Sequence, residues 1–369
     1  MIKTGFFYHE ECFWHSGVDF ALTVPVGGSV QPVYSGGFAE NPETKRRLVN
    51  LMKISGLFEE LIGLSANRAS DDDLLEVHTG KYIKKFKKKS ETGGGQLGVL
   101  APFGPGGFQI ACRSAGLAIS AVDQVLRGNL DNAYALSRPP GHHCLPDFPN
   151  GFCLLNNIAI AVRAAQSKGI GKKFAVIDWD VHHGNGTEAI FYSDPNVLTI
   201  SIHQERNYPL DTGAFLDRGE NQGEGYNVNI PLPPGSGDWA YREALSRIVV
   251  PSVENFKPDI IIIACGFDAS GVDPLSRMLC GSETFREMTR VVMCLADEVC
   301  AGKLVLVHEG GYSEVHVPFC GHSVIEQLVG SSVKVNDPLQ TRISAQQPSD
   351  DFNHFIARII DEIRVSTLG

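Results

Sequence analysis

Apolar strings that stop abruptly in titratable residues constrain this chain more than any other feature. FAVIDWD (174–180), IIIIACGFD (260–268) and KLVLVHEGGY (303–312) are short, rich in Val, Ile or Leu, and closed by Gly and polar residues. That is the pattern of strands buried on both faces of a parallel sheet. NAYALSRPPGHH (132–143) and NVLTISIH (196–203) end in the same way. Helical periodicity lies between them, in IACRSAGLAISAVDQVL (110–126), NNIAIAVRAAQSKG (156–169) and REALSRIVVPSVENF (242–256). This alternation predicts an α/β fold with a mainly parallel sheet sandwiched by helices. In such sheets ligands gather at the carboxyl ends of strands. Four strand ends carry His, Asp or Tyr, so they are expected to share one site.

The 369 residues suit one large α/β domain. Neither an internal repeat nor a low-complexity linker divides them. Residues 331–369 read as a C-terminal extension, and DDFNHFIARIIDEIR (350–364) as an amphipathic helix that packs on the domain or joins a homo-oligomer contact. The net charge of −10 argues against direct nucleic-acid binding by bulk electrostatics. With no long apolar stretch at the N-terminus and no 18-residue apolar run, we expect neither a signal peptide nor a membrane span. The expected location is cytoplasmic, with export into a host cell left open. Nine scattered cysteines without a CxxC pair fit reduced, mostly buried thiols. KYIKKFKKKSETGGGQ (81–96) reads as a solvated helix end and loop, or as a docking or nuclear-import patch.

Three clusters carry the chemistry. In an extended DWDVHH, side chains at alternate positions share a face, which would bring Asp178, Asp180 and His182 together. A buried Asp–His pair is the plainer reading of DxH alone. Asp268, however, closes another apolar strand, where a carboxylate is costly unless paired or ligated. Two carboxylates and one imidazole make a zinc site with a fourth position open for water. The same donors also suit iron or manganese. RPPGHH (138–143) holds His142 and His143 in an irregular turn where one can move a proton, with Asp178 and Asn185 available to orient them. HEGGY (308–312) brings Tyr312 into a cleft as a donor to a developing oxyanion.

RPPGHH, GFCLLNN, DWDVHHGNGT, GFDASGVDPL and HEGGY occur in that order. With AENPETKRR (39–47) and LLEVHTGKYI (74–83), they make residues 4–330 resemble the zinc-dependent histone deacetylase family of the arginase–deacetylase superfamily. The likeness is to class II and the bacterial histone deacetylase-like amidohydrolases. It implies that Asp180, His182 and Asp268 bind one catalytic zinc. His142 and His143 match the tandem catalytic histidines, supported by Asp178 and Asn185, and Tyr312 the oxyanion donor. Asn185, where class I has Asp, points to class II. Gly151, Phe152, Tyr208, Leu275 and Pro140 match substrate-binding positions, with Tyr208 standing where the family usually has Phe. Structural K+ or Na+ ions are implied at Asp178, Asp180, His182, Ser201 and Ile202, and at Phe191, Asp194, Val197 and Tyr226.

The implied reaction is hydrolysis of N-acyl-lysine in a protein or peptide, with His143 as the main proton shuttle and His142 as electrostatic support. Gly184 and Ser270 replace the extra aspartates of the two-manganese arginase branch. The alternative substrate is an acetylated polyamine or another small-molecule amide, but polyamine deacetylases resembling class II carry a Glu gatekeeper where this chain has Leu275. A catalytically idle acyl-lysine reader is a third reading, opposed by the complete catalytic set.

Overall fold

The computed structural model describes residues 2–17, 20–21, 24–25, 29–30 and 38–368. Its centre is an eight-stranded sheet: β1 (Thr4–Phe7), β2 (Ile62–Leu64), β3 (Asn132–Ala135), β4 (Phe174–Asp178), β5 (Val197–Gln204), β6 (Asn227–Leu232), β7 (Ile260–Cys265) and β8 (Leu304–His308). The spatial order is β6-β5-β4-β7-β8-β3-β1-β2, and every pairing is parallel. β4, β7 and β8 lie side by side at the middle, with Ile262 opposite both Val176 and Val305.

Strand alternation feeds two cores. Ile177, Ile261, Ile263, Leu304 and Leu306 point to one face. There they meet α1 (Glu43–Ser55), α5 (Ser282–Cys300), α6 (Val317–Val329) and α7 (Asp350–Leu368). Val176, Ile260, Ile262, Val305 and Val307 point to the other, against α3 (Gly107–Leu126) and α4 (Asn157–Ser167). Being covered on both sides explains the unbroken apolar runs. Each fully buried Ile or Leu contributes about 1.5–3 kcal/mol.

The helix expected over 242–256 is interrupted. Asp238–Ala244 is α-helical, Leu245–Val249 makes π-type turns, and Val250–Phe256 resumes the α-helix with Pro251 near its start. Proline lacks the N–H that an unbroken ladder needs, and the widened turns absorb its ring. The basic segment forms α2 (Gly80–Glu91), which buries Tyr82, Ile83 and Phe86 and turns Lys81, Lys84, Lys85 and Lys88 outward. No helix among the described residues is long and apolar enough to cross a membrane.

Candidate active site

β4 ends at Asp178, earlier than a continuous extended DWDVHH would require. Beyond it the backbone bends through its own side chains: Asp180 N–H donates to Asp178 Oδ1 (3.0 Å), and His182 N–H to Asp180 Oδ1 (3.0 Å). Such local bonds compete with the ladder and end the strand. They still deliver Asp180 and His182 to the carboxyl edge of the sheet. Asp268, just past β7, completes the group: His182 Nδ1 lies 3.1 Å from Asp180 Oδ1 and 3.1 Å from Asp268 Oδ2.

The three residues are buried, and one donor atom from each lies within 4.8 Å of the others. Burial and the neighbouring Asp180 carboxylate push Asp268 up to about 6, the mark of two acids crowded around one point. A divalent cation would relieve that repulsion, and the O, O, N donor set with its tight spacing fits zinc. Glycine keeps the cradle open: a Cβ on Gly310 would stand 2.2 Å from Asp268 Oδ2 and 2.6 Å from Asp180 Oδ2. Backbone N–H groups hold the outer oxygens, Val181 to Asp268 Oδ1 (2.8 Å) and Gly310 to Asp180 Oδ2 (2.7 Å).

The loop after β3 carries the tandem histidines. His142 Nδ1–H donates to Asp178 Oδ2 (2.9 Å) and His143 Nδ1–H to Asn185 Oδ1 (2.8 Å). Their ring centres are 4.0 Å apart. Burial opposes charge on His142, but the Asp180 and Asp178 carboxylates outweigh it and push its pKa up to about 10. Burial, with His142 and His182 nearby, pulls His143 well below the ordinary imidazole value. The two rings are therefore pushed apart in basicity, His142 up and His143 down. Burial and the Asp268 and Asp180 carboxylates push the Tyr312 phenol well above its usual range, so it keeps its proton.

Above these groups lies a pocket of about 420 Å³. Gly151, Phe152, Tyr208 and Leu275 line it, with His143, His182 and Tyr312 among the other walls. Phe152 packs edge-on against Tyr312 (5.6 Å between centroids) and Tyr208 against His143 (5.0 Å). Gly151 has φ +53°, and a Cβ there would stand 2.2 Å from His143 Cδ2. The extra hydroxyl of Tyr208 donates to Asn150 Oδ1 (3.2 Å). Pro140 is buried and does not line the pocket.

Several contributors escape sequence reasoning. Phe38, Leu100 and Asn207 also line the pocket. Asp273 takes the N–H groups of Tyr312 (2.8 Å), Ser313 (3.3 Å) and Leu275 (2.9 Å), tying the tyrosine loop to the rim. Its one sequence signal is an acid directly before proline. The positions implied for monovalent cations sit on and beside β4–β6. Asp178 faces Ser201 in register, Ile202 follows in β5, and the carbonyls of Phe191, Asp194 and Tyr226 accept N–H groups of Asp194 (2.9 Å), Val197 (3.3 Å) and Thr199 (3.0 Å).

Comparison with known proteins now decides the lineage: residues 38–328 match the histone deacetylase domain. The chain belongs to the histone deacetylase family. It is 52% identical over 361 residues to a histone deacetylase-like amidohydrolase of Pseudomonas aeruginosa, covering 98% of this chain and 95% of that one. A probable deacetylase of Archaeoglobus fulgidus is 40% identical over 296 residues, 79% of this chain and 82% of its own. Among solved structures, the HDA15 HD domain superposes with a TM-score of 0.81 at 31% identity, covering 98% of this chain and 99% of that one. The eight-stranded parallel sheet flanked by helices is the fold of this deacetylase family.

Proposed function

We propose that this deacetylase hydrolyses N-acyl-lysine amides in proteins or peptides, releasing acetate from the acetyl form. The observation that carries this reading is the meeting of Asp180, His182 and Asp268 beneath a largely apolar pocket walled by His143 and Tyr312. The three residues would hold one zinc ion, which when bound supplies Lewis acidity to polarise a carbonyl and acidify water. Neutral His143, oriented by Asn185, takes the proton of the attacking water and returns it to the departing amine. His142, cationic beside Asp178, stabilises negative charge as it develops. Tyr312 O–H donates to the oxygen that gains charge, a contribution of about 3–4 kcal/mol.

Phe152 and Tyr208 enclose the lysine alkyl chain, with Gly151 leaving room between them and Leu275 at the rim. Monovalent cations at Asp178, Asp180, His182, Ser201 and Ile202, and at Phe191, Asp194, Val197 and Tyr226, would brace the strand ends. No Asp or Glu lines the pocket among the described residues. A cationic polyamine therefore finds no counter-charge there, while an alkyl chain needs none. A panel of acetyl-lysine peptide and acetylputrescine on the zinc-loaded protein tests the reading. We expect the peptide to be preferred; a strong preference for acetylputrescine would overturn the substrate class.

A further inference from the structure

His142, Cys153 and Glu309 form a second buried group whose donor atoms, one from each residue, lie within 4.8 Å of one another. Glu309 and His142 each keep one ligand atom outside their hydrogen bonds. Glu309 Oε2 accepts the N–H groups of Gly141 (2.6 Å) and His142 (3.1 Å), while Oε1 is buried with no hydrogen-bond partner. His142 commits Nδ1 to Asp178 and leaves Nε2, whose nearest acid is Asp180 Oδ1 at 3.8 Å. Cys153 Sγ makes a weak contact with Gly151 O at 3.3 Å. An unpaired carboxylate oxygen inside a protein is costly, so its persistence calls for a partner.

From this geometry we propose a second, inhibitory site for a thiophilic divalent cation such as zinc or cadmium, held by His142, Cys153 and Glu309. A sulfur, nitrogen and oxygen donor set suits these ions and excludes magnesium and calcium, which take oxygen ligands. Binding releases two protons to solvent, one from the Cys153 thiol and one from Nε2 of the cationic His142. It also replaces that Nε2 proton of His142 with the metal, removing the imidazolium from catalysis. The inhibitory role rests on the proposed function, which places His142 beside the reacting amide.

Cadmium titration of the one-zinc protein tests the site, in a Cys294→Ser background because Cys294 is the exposed thiol. The thiolate-to-cadmium absorption band reports binding, and acetyl-lysine turnover is read in the same samples. We expect the band to saturate at one further equivalent as turnover falls. In Cys153→Ser and Cys153→Ala the band should vanish, and half-inhibition should need on the order of tenfold more cadmium, each variant being scaled to its own rate without cadmium. A band that survives both substitutions, or never forms, overturns the site. Equal inhibition in the variants would mean metal exchange among Asp180, His182 and Asp268, and also overturns it. Absence of turnover on any acyl substrate before cadmium is added sinks the functional reading and the inhibitory role with it. The band still decides whether the metal site exists.

Discussion

The two ends of the same parallel strands are chemically unlike. At the amino ends a groove of about 960 Å³ runs past Lys172, Asp194, Asp259 and Lys303. At the carboxyl ends the pocket is less than half that size, about 420 Å³. The larger space is rich in charge, but its charges pair locally and meet water. Arg163 Nη1 donates to Asp194 Oδ2 (2.6 Å), and Asp259 Oδ2 takes the backbone N–H groups of Lys172 (2.7 Å) and Lys173 (2.9 Å). Among the described residues no group of metal-binding donors forms there. At the carboxyl ends acids and imidazoles are buried together and aimed at common points. Solvated charges interact weakly and buried ones strongly, so convergence without water, rather than cavity size, marks the reactive end.

The sharpest way to break this contrast is to remove chemistry from the carboxyl end while keeping its shape. Tyr312→Phe should lower kcat by about 10²–10³ while zinc content stays unchanged, as steady-state rates and metal analysis will show. Near-normal turnover would remove the phenol from the mechanism.

A second test concerns what holds the reactive end in place. Arg138, at the start of the tandem-histidine loop, donates through Nε to Glu40 Oε1 (2.9 Å), and Lys45 Nζ donates to the same oxygen (3.3 Å), all three side chains being buried. Burial alone would raise the Glu40 pKa, but the Arg138 and Lys45 cations outweigh it and hold it down to about 2. A depressed carboxylate stabilises the fold above its unfolded value and loses that contribution as pH falls through the folded one. Stability should therefore drop between pH 4.5 and about 2. Thermal melts across that window should show a smaller acid-induced loss in Glu40→Gln, from a lower starting stability. An identical pH profile would remove Glu40 from the acid response.

The smallest effect is expected at the opposite edge. Lys172→Ala should change stability by no more than about 0.5 kcal/mol and leave kcat/KM unaltered, since its side chain is solvated. A clear loss of activity would mean that the amino-end groove takes part after all.

Much of this contrast is legible in the sequence because β4, β7 and β8 are buried on both faces. Continuous apolar runs such as IIIIAC are then obligatory, and the residues that follow them stand out. β1, β2 and β6 escape notice: TGFF and IGL are too short for periodicity, and β2 is a largely exposed edge strand. The site residues announce themselves as titratable groups at strand ends. Asp273 and Glu309 do not, because each acts by accepting backbone N–H groups from loops whose meeting depends on the fold. Part of the pocket wall is equally hidden, since Phe38, Leu100 and Asn207 come from three loops far apart in the chain.

The central claim is that Asp180, His182 and Asp268 hold a single divalent ion on which amide hydrolysis depends. Stoichiometric zinc titration of the metal-stripped chain, read by turnover of an acetyl-lysine substrate, tests it most directly. Activity should rise from the baseline in proportion to zinc and reach its maximum at one equivalent. Full activity without metal, or no gain on adding zinc to a folded chain, would contradict it.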